Sequence, residues 1–301
     1  MSRQVEHKHP PSSPLQSDAL RAKSNRYRKN LLTFIYETGA GHTGGSLSCV
    51  DIVNVLYNAV MDITPENWHT LERDHYIHSK GHSVEALYVV LADLGFFPRE
   101  ELRTGGKFQS RLIGHPTRKV PGVEQNTGGL GHGLSFAVGL AIAAKMDGRV
   151  SNVYCLMGDG ELAEGSNWEA AMTAAHYGLD NLIGIIDRNK LQITGHTKDV
   201  MRLEPLVDKW GAFGWEVAQV DGHDVEQLES RLDATPYAEG KPSLLIAHTV
   251  KGKGFAFAED QAEWHHKAPT EEQYRKAMAE LQIGKNSAGQ KESKSSRPKS
   301  S

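Results

Sequence analysis

Asp159 and Asn189 each follow a short apolar run, and that placement suits them to binding a hard cation. The run Asn152–Met157 leads into Gly158-Asp159-Gly160-Glu161-Leu162-Ala163-Glu164-Gly165. The run Leu182–Ile186 leads into Asp187-Arg188-Asn189-Lys190-Leu191. Parallel strands lying side by side would bring both ends to one sheet edge. The Asp159 carboxylate, the Asn189 amide oxygen and the Leu191 backbone carbonyl would then form a hard-oxygen set. Mg²⁺ takes such ligands and completes its octahedron with water and substrate phosphates. Gly158 and Gly160 free the turn for close phosphate approach. The N-terminus of the following helix adds unpaired N–H groups and positive dipole. Together these features describe a diphosphate held through a metal ion.

A bare Gly-Asp-Gly is a common turn. The second strand end, one βα unit later, makes the pair far more specific. Between Gly160 and Asn189 lie 28 residues, as in the thiamine diphosphate signature. Further segments carry the likeness. They are Ala40-Gly41-His42-Thr43-Gly44-Gly45-Ser46-Leu47-Ser48, Ser79-Lys80-Gly81-His82, and Gly114-His115-Pro116 with Pro121-Gly122-Val123-Glu124. Thr127-Gly128-Gly129-Leu130-Gly131-His132-Gly133 and Trp264-His265-His266-Lys267-Ala268-Pro269 complete the set. In these segments the chain resembles transketolase, in its N-terminal diphosphate-binding half, over about residues 20–282. Two positions depart from the family pattern: His132 stands where Gln is usual, and His266 where Gly is usual.

The resemblance implies thiamine diphosphate as cofactor, with Mg²⁺ or another divalent cation. The cofactor carries the difficult chemistry, and the protein supplies position and proton handling. Histidine can bind hydroxyls and move protons near neutral pH. By the resemblance, His82 and His265 meet the cofactor diphosphate, as do Gly128, Gly129, Leu130 and Gly160. His42, His115 and His265 line the sugar channel and carry catalysis, His265 rather than His266 by motif register. Glu164 alone reads as an acid at a helix N-terminus. Its match is a family glutamate at the interface between paired cofactor sites. Lys251-Gly252-Lys253-Gly254 is either a phosphate contact or a flexible basic turn. Of the 15 histidines, His7, His9, His69, His176, His196 and His223 are expected as surface or satisfied core groups. His75 and His78 lie near the second loop and take no assigned role.

These loops need a frame. Buried-strand runs cover Asn152–Met157, Leu182–Asp187, Trp215–Val220 and Leu244–His248, separated by helical stretches at Asn167–Tyr177, Leu206–Phe213 and Val225–Leu232. That alternation predicts an α/β fold with a mostly parallel sheet flanked by helices. Ligands of such sheets bind at the carboxyl ends of the strands. Upstream, Tyr27, Leu31, Phe34 and Ile35 share a helical face that Gly39 stops. A second helix starts near Ser48 as N-cap, a third covers Val84–Leu94 before Gly95, and the Ala/Gly-rich Leu134–Met146 suits a helix packed closely on other backbone.

The chain has 301 residues, 39% of them hydrophobic, and a net charge of -3. No apolar run reaches the ~18 residues of a membrane span, and the first residues hold no apolar signal core. The charge gives no support to a nucleic-acid protein. Cys49 and Cys155 sit in apolar contexts, which fits a reducing cytoplasm. Residues 1–17 and 284–301 read as disordered tails around one diphosphate-binding domain at 18–283. By the resemblance, the family's pyrimidine-binding domain is expected to lie outside this chain. The expectation is an N-terminal subunit of a split transketolase. A separate C-terminal subunit would complete a heterotetramer acting on sugar phosphates. Alternatives are an α-type subunit of a 2-oxo acid dehydrogenase or a non-catalytic cofactor-binding subunit.

Overall fold

Five parallel strands form the sheet that the apolar runs predict. In the computed structural model, which describes residues 14–280, they are β1 (His75–His78), β2 (Val153–Gly158), β3 (Leu182–Arg188), β6 (Glu216–Asp221) and β7 (Ser243–His248). Their order is β1-β2-β3-β7-β6. A small antiparallel pair, β4 (Leu191–Gln192) and β5 (Gly195–His196), follows β3. β1 is too short for the apolar-run pattern to reveal. Two of its four residues are histidines.

Helices cover both faces. Along β2, Tyr154 and Leu156 face a layer with α1 (Pro14–Thr38), α2 (Thr43–Val55), α3 (Val84–Leu94) and α8 (Val225–Asp233). The alternate residues Val153, Cys155 and Met157 face α4 (Gly133–Met146), α5 (Gly165–His176) and α7 (Leu206–Ala212). That alternation is the period-two signature of a strand buried on both sides. α6 (Thr197–Val200) is a short connector, and residues 271–280 are again helical. Both cysteines are free and buried.

Three local expectations change. α2 starts at Thr43, not at Ser48. The Gly-rich loop is itself the first turn, held by Thr43 Oγ1 donating to the Lys267 carbonyl and by Ser46 N–H donating to the His42 carbonyl. α1 begins at Pro14, so residues 14–17 belong to a helix rather than a tail. Residues 1–13 and 281–301, including the proposed C-terminal tail and the domain end at 283, lie outside the described residues. α4 packs closely through Gly133, Leu134, Ala137 and Ala141, but Ser135, Phe136 and Gly139 are exposed.

Candidate active site

The pairing of β2 with β3 sets Gly158 opposite Asp187, so Asp159 and Asn189 leave the sheet at one edge, as the strand argument requires. Both side chains are buried. Asp159 Oδ1 accepts the Gly160 N–H at 2.8 Å, and Oδ2 accepts Arg188 Nη1 at 2.8 Å and the Lys190 N–H at 2.5 Å. Asn189 Oδ1 accepts the Leu191 N–H at 3.1 Å. A carboxylate offers about four acceptor sites and an amide oxygen two, so both retain capacity for a cation. Desolvation raises the Asp159 carboxyl above its ordinary value, while Arg188 pulls against it. Among the described residues no group of three or more His, Cys, Asp or Glu could hold a metal. Asp159, Asn189 and the Leu191 carbonyl form a different donor set, all hard oxygen, and that chemistry fits Mg²⁺.

Two buried carboxylates that the sequence motifs do not single out tie the loops together. Asp187 accepts from Lys80 Nζ, Ser48 Oγ, Thr249 Oγ1 and, at 3.4 Å, Asn189 Nδ2. Lys80 also donates to the Gly45 carbonyl at 3.2 Å. This centre joins the first and second loops to the end of β3. Coulombic attraction to Lys80 and the accepted hydrogen bonds outweigh burial and hold Asp187 below the usual carboxylate range. Glu161 accepts the Ser79 hydroxyl, the Gly131 N–H at 2.9 Å and the Gly158 N–H at 3.0 Å. It therefore joins the second loop, the Gly-rich loop and the Gly-Asp-Gly turn.

Above this edge the candidate histidines meet. The His42 ring centroid lies 5.4 Å from His82, 5.8 Å from His115, 5.6 Å from His265 and 4.6 Å from His266. His82 and His265 stack at 5.1 Å. Four sequence-distant motifs thus converge, and His266 joins them from an exposed position. Desolvation and the neighbouring histidines push His42 down to about 3, and desolvation with Lys251 pushes His265 down to about 4. His82 and His115 are also lowered, mainly by burial. The rings of His42, His82, His115 and His265 are neutral at pH 7, and a neutral imidazole can both donate and accept. Gly128, with φ +131°, lies against His115, and a Cβ there would overlap that ring. Gly129 would meet only His132, at 3.4 Å, so backbone is open to a ligand at that point. Nδ1 of His42 is buried without a hydrogen-bond partner. The open backbone, the hard oxygens and this unpaired nitrogen fit a metal-bound diphosphate cofactor.

Other residues fall differently. Glu164 is exposed at the N-cap position of α5 and makes no side-chain capping bond. His132 is exposed at the start of α4. Lys251 is fully buried, with Nζ 2.9 Å from Nδ1 of His265, so the basic turn reaches into the site. Burial and the nearby Lys80 lower Lys251 to about 8. His223 is a satisfied group that also supports this loop. Its Nδ1 pairs with Asp51 at 2.7 Å and its Nε2 accepts the Val250 N–H at 2.8 Å. His78 lies between the Tyr76 hydroxyl and the Ser83 hydroxyl, at 2.7 and 2.9 Å. His75 binds Glu124 at 2.8 Å, anchoring the third loop to β1.

Residues 22–288 match the family described as "Transketolase, thiamine diphosphate binding domain". The chain is 49% identical over 267 residues to a subunit of the apulose-4-phosphate transketolase of Phocaeicola vulgatus, covering 89% of this chain and 95% of that one. It is 44% identical to the 6-deoxy-6-sulfo-D-fructose transketolase subunit SqwG of a Clostridium species, covering 87% and 96%. The crystal structure of transketolase from Campylobacter jejuni superposes with a TM-score of 0.82 at 33% identity. It covers 88% of this chain but only 43% of that one.

Proposed function

Because the chain belongs to the transketolase family, through its thiamine diphosphate-binding domain, we propose that it is the N-terminal subunit of a split transketolase. It would transfer a two-carbon ketol group from a ketose phosphate to an aldose phosphate, together with a separate pyrimidine-domain subunit. One observation carries this reading. Five loops meet at a single sheet edge, in a chain that spans 95% of the Phocaeicola relative, itself one subunit of a transketolase, and 43% of the Campylobacter transketolase chain.

Bound thiamine diphosphate would supply the nucleophile and the electron sink for breaking and making the carbon–carbon bond. Asp159, Asn189 and the Leu191 carbonyl hold the divalent cation. Gly128, Gly129, Leu130 and Gly160 offer backbone to the cofactor, and His82 and His265 donate to its diphosphate. His42, His115 and His265 bind the sugar hydroxyls and carry the proton transfers, which their neutral state permits. Glu164, exposed here, couples protons across the interface between paired sites.

The partner is a C-terminal transketolase subunit in a heterotetramer. Large apolar side chains exposed on neighbouring helices support this: Phe136 and Met146 of α4 are 43% and 81% exposed, and Met172 of α5 is 55% exposed. A cytoplasmic location fits two free buried thiols. No helix among the described residues is long and apolar enough to cross a membrane. Pentose phosphates are the default substrates, and branched or modified sugars fit the relatives' names and the His266 departure.

The test mixes the purified chain with its candidate partner, Mg²⁺ and thiamine diphosphate, and measures ketol transfer from ketose donors beside pyruvate decarboxylation. Ketol transfer that needs both chains is expected. Strong transfer by this chain alone, or decarboxylation in its place, would overturn the reading. Full activity of an Asp159→Ala complex would favour a non-catalytic subunit.

A further inference from the structure

Glu85 lies in the first turn of α3 and is buried beneath the loop that carries His42. Its Oε1 accepts the His42 backbone N–H at 3.0 Å, and its Oε2 accepts the Ser46 hydroxyl at 2.7 Å. Among the described residues no lysine or arginine forms an ion pair with it. The basic nitrogen that approaches it is Nδ1 of His42, 4.0 Å from Oε1. That nitrogen is the one buried without a hydrogen-bond partner. A Cβ on Gly41 would come within 2.9 Å of Glu85 Oε1, so the loop backbone rests directly on the carboxylate.

A neutral imidazole has one N–H and one lone pair, and its surroundings decide which nitrogen carries the proton. At His265 the choice is visible. The Lys251 ammonium can only donate, and it lies 2.9 Å from Nδ1, so the His265 proton sits on Nε2. At His42 the neighbour has the opposite character. Burial raises the Glu85 carboxyl, while the bonds it accepts from the Ser46 hydroxyl and the His42 N–H favour its ionised form, and an ionised carboxylate can only accept.

We infer that Glu85 is a positioning residue that holds His42 in the Nδ1–H tautomer, so that His42 presents a lone pair at Nε2 where His265 presents a proton. This rests on the transketolase reading, in which both rings face the sugar. The two rings stand 5.6 Å apart, centroid to centroid. A hydroxyl substrate between them meets one acceptor and one donor rather than two of a kind. The 4.0 Å separation is longer than a hydrogen bond. Such contacts run long in ligand-free sites and tighten in the working complex.

Glu85→Gln separates charge from shape. The glutamine oxygen still accepts the His42 N–H, and its amide can donate to the Ser46 hydroxyl. The full chain, labelled with nitrogen-15 histidine, is observed by NMR at pH 7, with His42→Gln identifying the His42 signals and His265 as internal reference. His42 is expected to be protonated at Nδ1 in the parent chain. In Glu85→Gln the tautomer ratio should shift about tenfold toward Nε2–H, and kcat/KM of the reconstituted complex should fall about tenfold. A His42 proton on Nε2 in the parent chain, or an unchanged ratio in Glu85→Gln, would overturn the inference. The NMR result needs neither partner nor turnover, so an inactive complex sinks the transketolase reading and leaves the role of Glu85 to be decided separately.

Discussion

Glu161 is the side chain on which three cofactor loops converge. Its two oxygens satisfy the Ser79 hydroxyl and the N–H groups of Gly131 and Gly158. Glu161→Gln would turn an NH₂ toward one of those donors, and a buried unmet donor costs about 1–3 kcal/mol. A lower melting temperature and weaker thiamine diphosphate binding are expected, measured by thermal unfolding and by calorimetry. Unchanged values for both would show that the loops hold without it. Lys251 invites the opposite change. Its native pKa of about 8 lies below the ordinary 10.5. The unfolded chain therefore binds the proton more tightly, and the penalty to the folded state is complete below pH 8 and gone above pH 10.5. Lys251→Met should stabilise the chain at pH 7 by about 3 kcal/mol, lose that gain above pH 10.5, and weaken cofactor binding. Equal melting shifts at both pH values would contradict a charged Lys251. Asp159 and the four motif histidines stand out in the sequence because glycines or prolines lie close to them, and Asn189 because it follows an apolar run, with 28 residues between it and the Gly-Asp-Gly turn. Glu85 is not. Between Val84 and Ala86 it reads as one polar residue of an apolar helix, and its partners lie 43 and 39 positions earlier.

At the scale of elements, the loops are seated on one another as much as on the sheet. A Cβ at Gly81 would lie 2.6 Å from the Gly128 nitrogen and 2.8 Å from its Cα. Both neighbours are backbone and cannot turn aside. Gly81→Ala should cost about 1–3 kcal/mol and weaken cofactor binding more than it lowers folding cooperativity. Thermal melts and binding titrations of the variant check both, and intact cofactor affinity would argue that the two loops move independently. Most strands and helices are legible because their apolar periods are long. Ser48 mimics a cap because a Ser before an apolar run is a good local signal. Its hydroxyl instead donates to the Gly45 carbonyl at 3.0 Å and to Asp187. Contacts to β3 and to Lys267, both far along the chain, place the helix start at Thr43. β1 escapes a sequence reading for the converse reason. Its His75 and His78 are strand-compatible only because Glu124, Tyr76 and Ser83 satisfy them when buried.

For the whole molecule, buried histidines set the response to acid. His42 and His78 are held at about 3 and His265 at about 4, below the ordinary 6.5. Between pH 6.5 and those values the unfolded chain takes up protons that the native chain refuses. Stability therefore falls as pH falls through that window. Melting temperature should decline steadily from pH 7 to pH 4, and a flat profile would show that the rings can charge in place. Assembly gives a second test. A Cβ at Gly139 meets nothing within 4 Å, so Gly139→Arg leaves the subunit's own packing alone. It should keep the melting temperature and thiamine diphosphate contacts within the subunit while blocking co-purification with the partner. Retained assembly would place the interface elsewhere.

The strand order has a consequence for how the chain is made. β1, near residue 75, pairs with β2, which begins at residue 153, and β3 pairs next with β7, which begins at residue 243. A ribosome that has translated the first half of the chain has released β1 but neither β3 nor β6, the two strands that β7 joins. The helices α1 to α3 must wait, apolar faces uncovered, until nearly the whole sheet has emerged. Local order can come early, but closure of the sheet belongs to the last stage of synthesis, because its contacts are so distant in sequence.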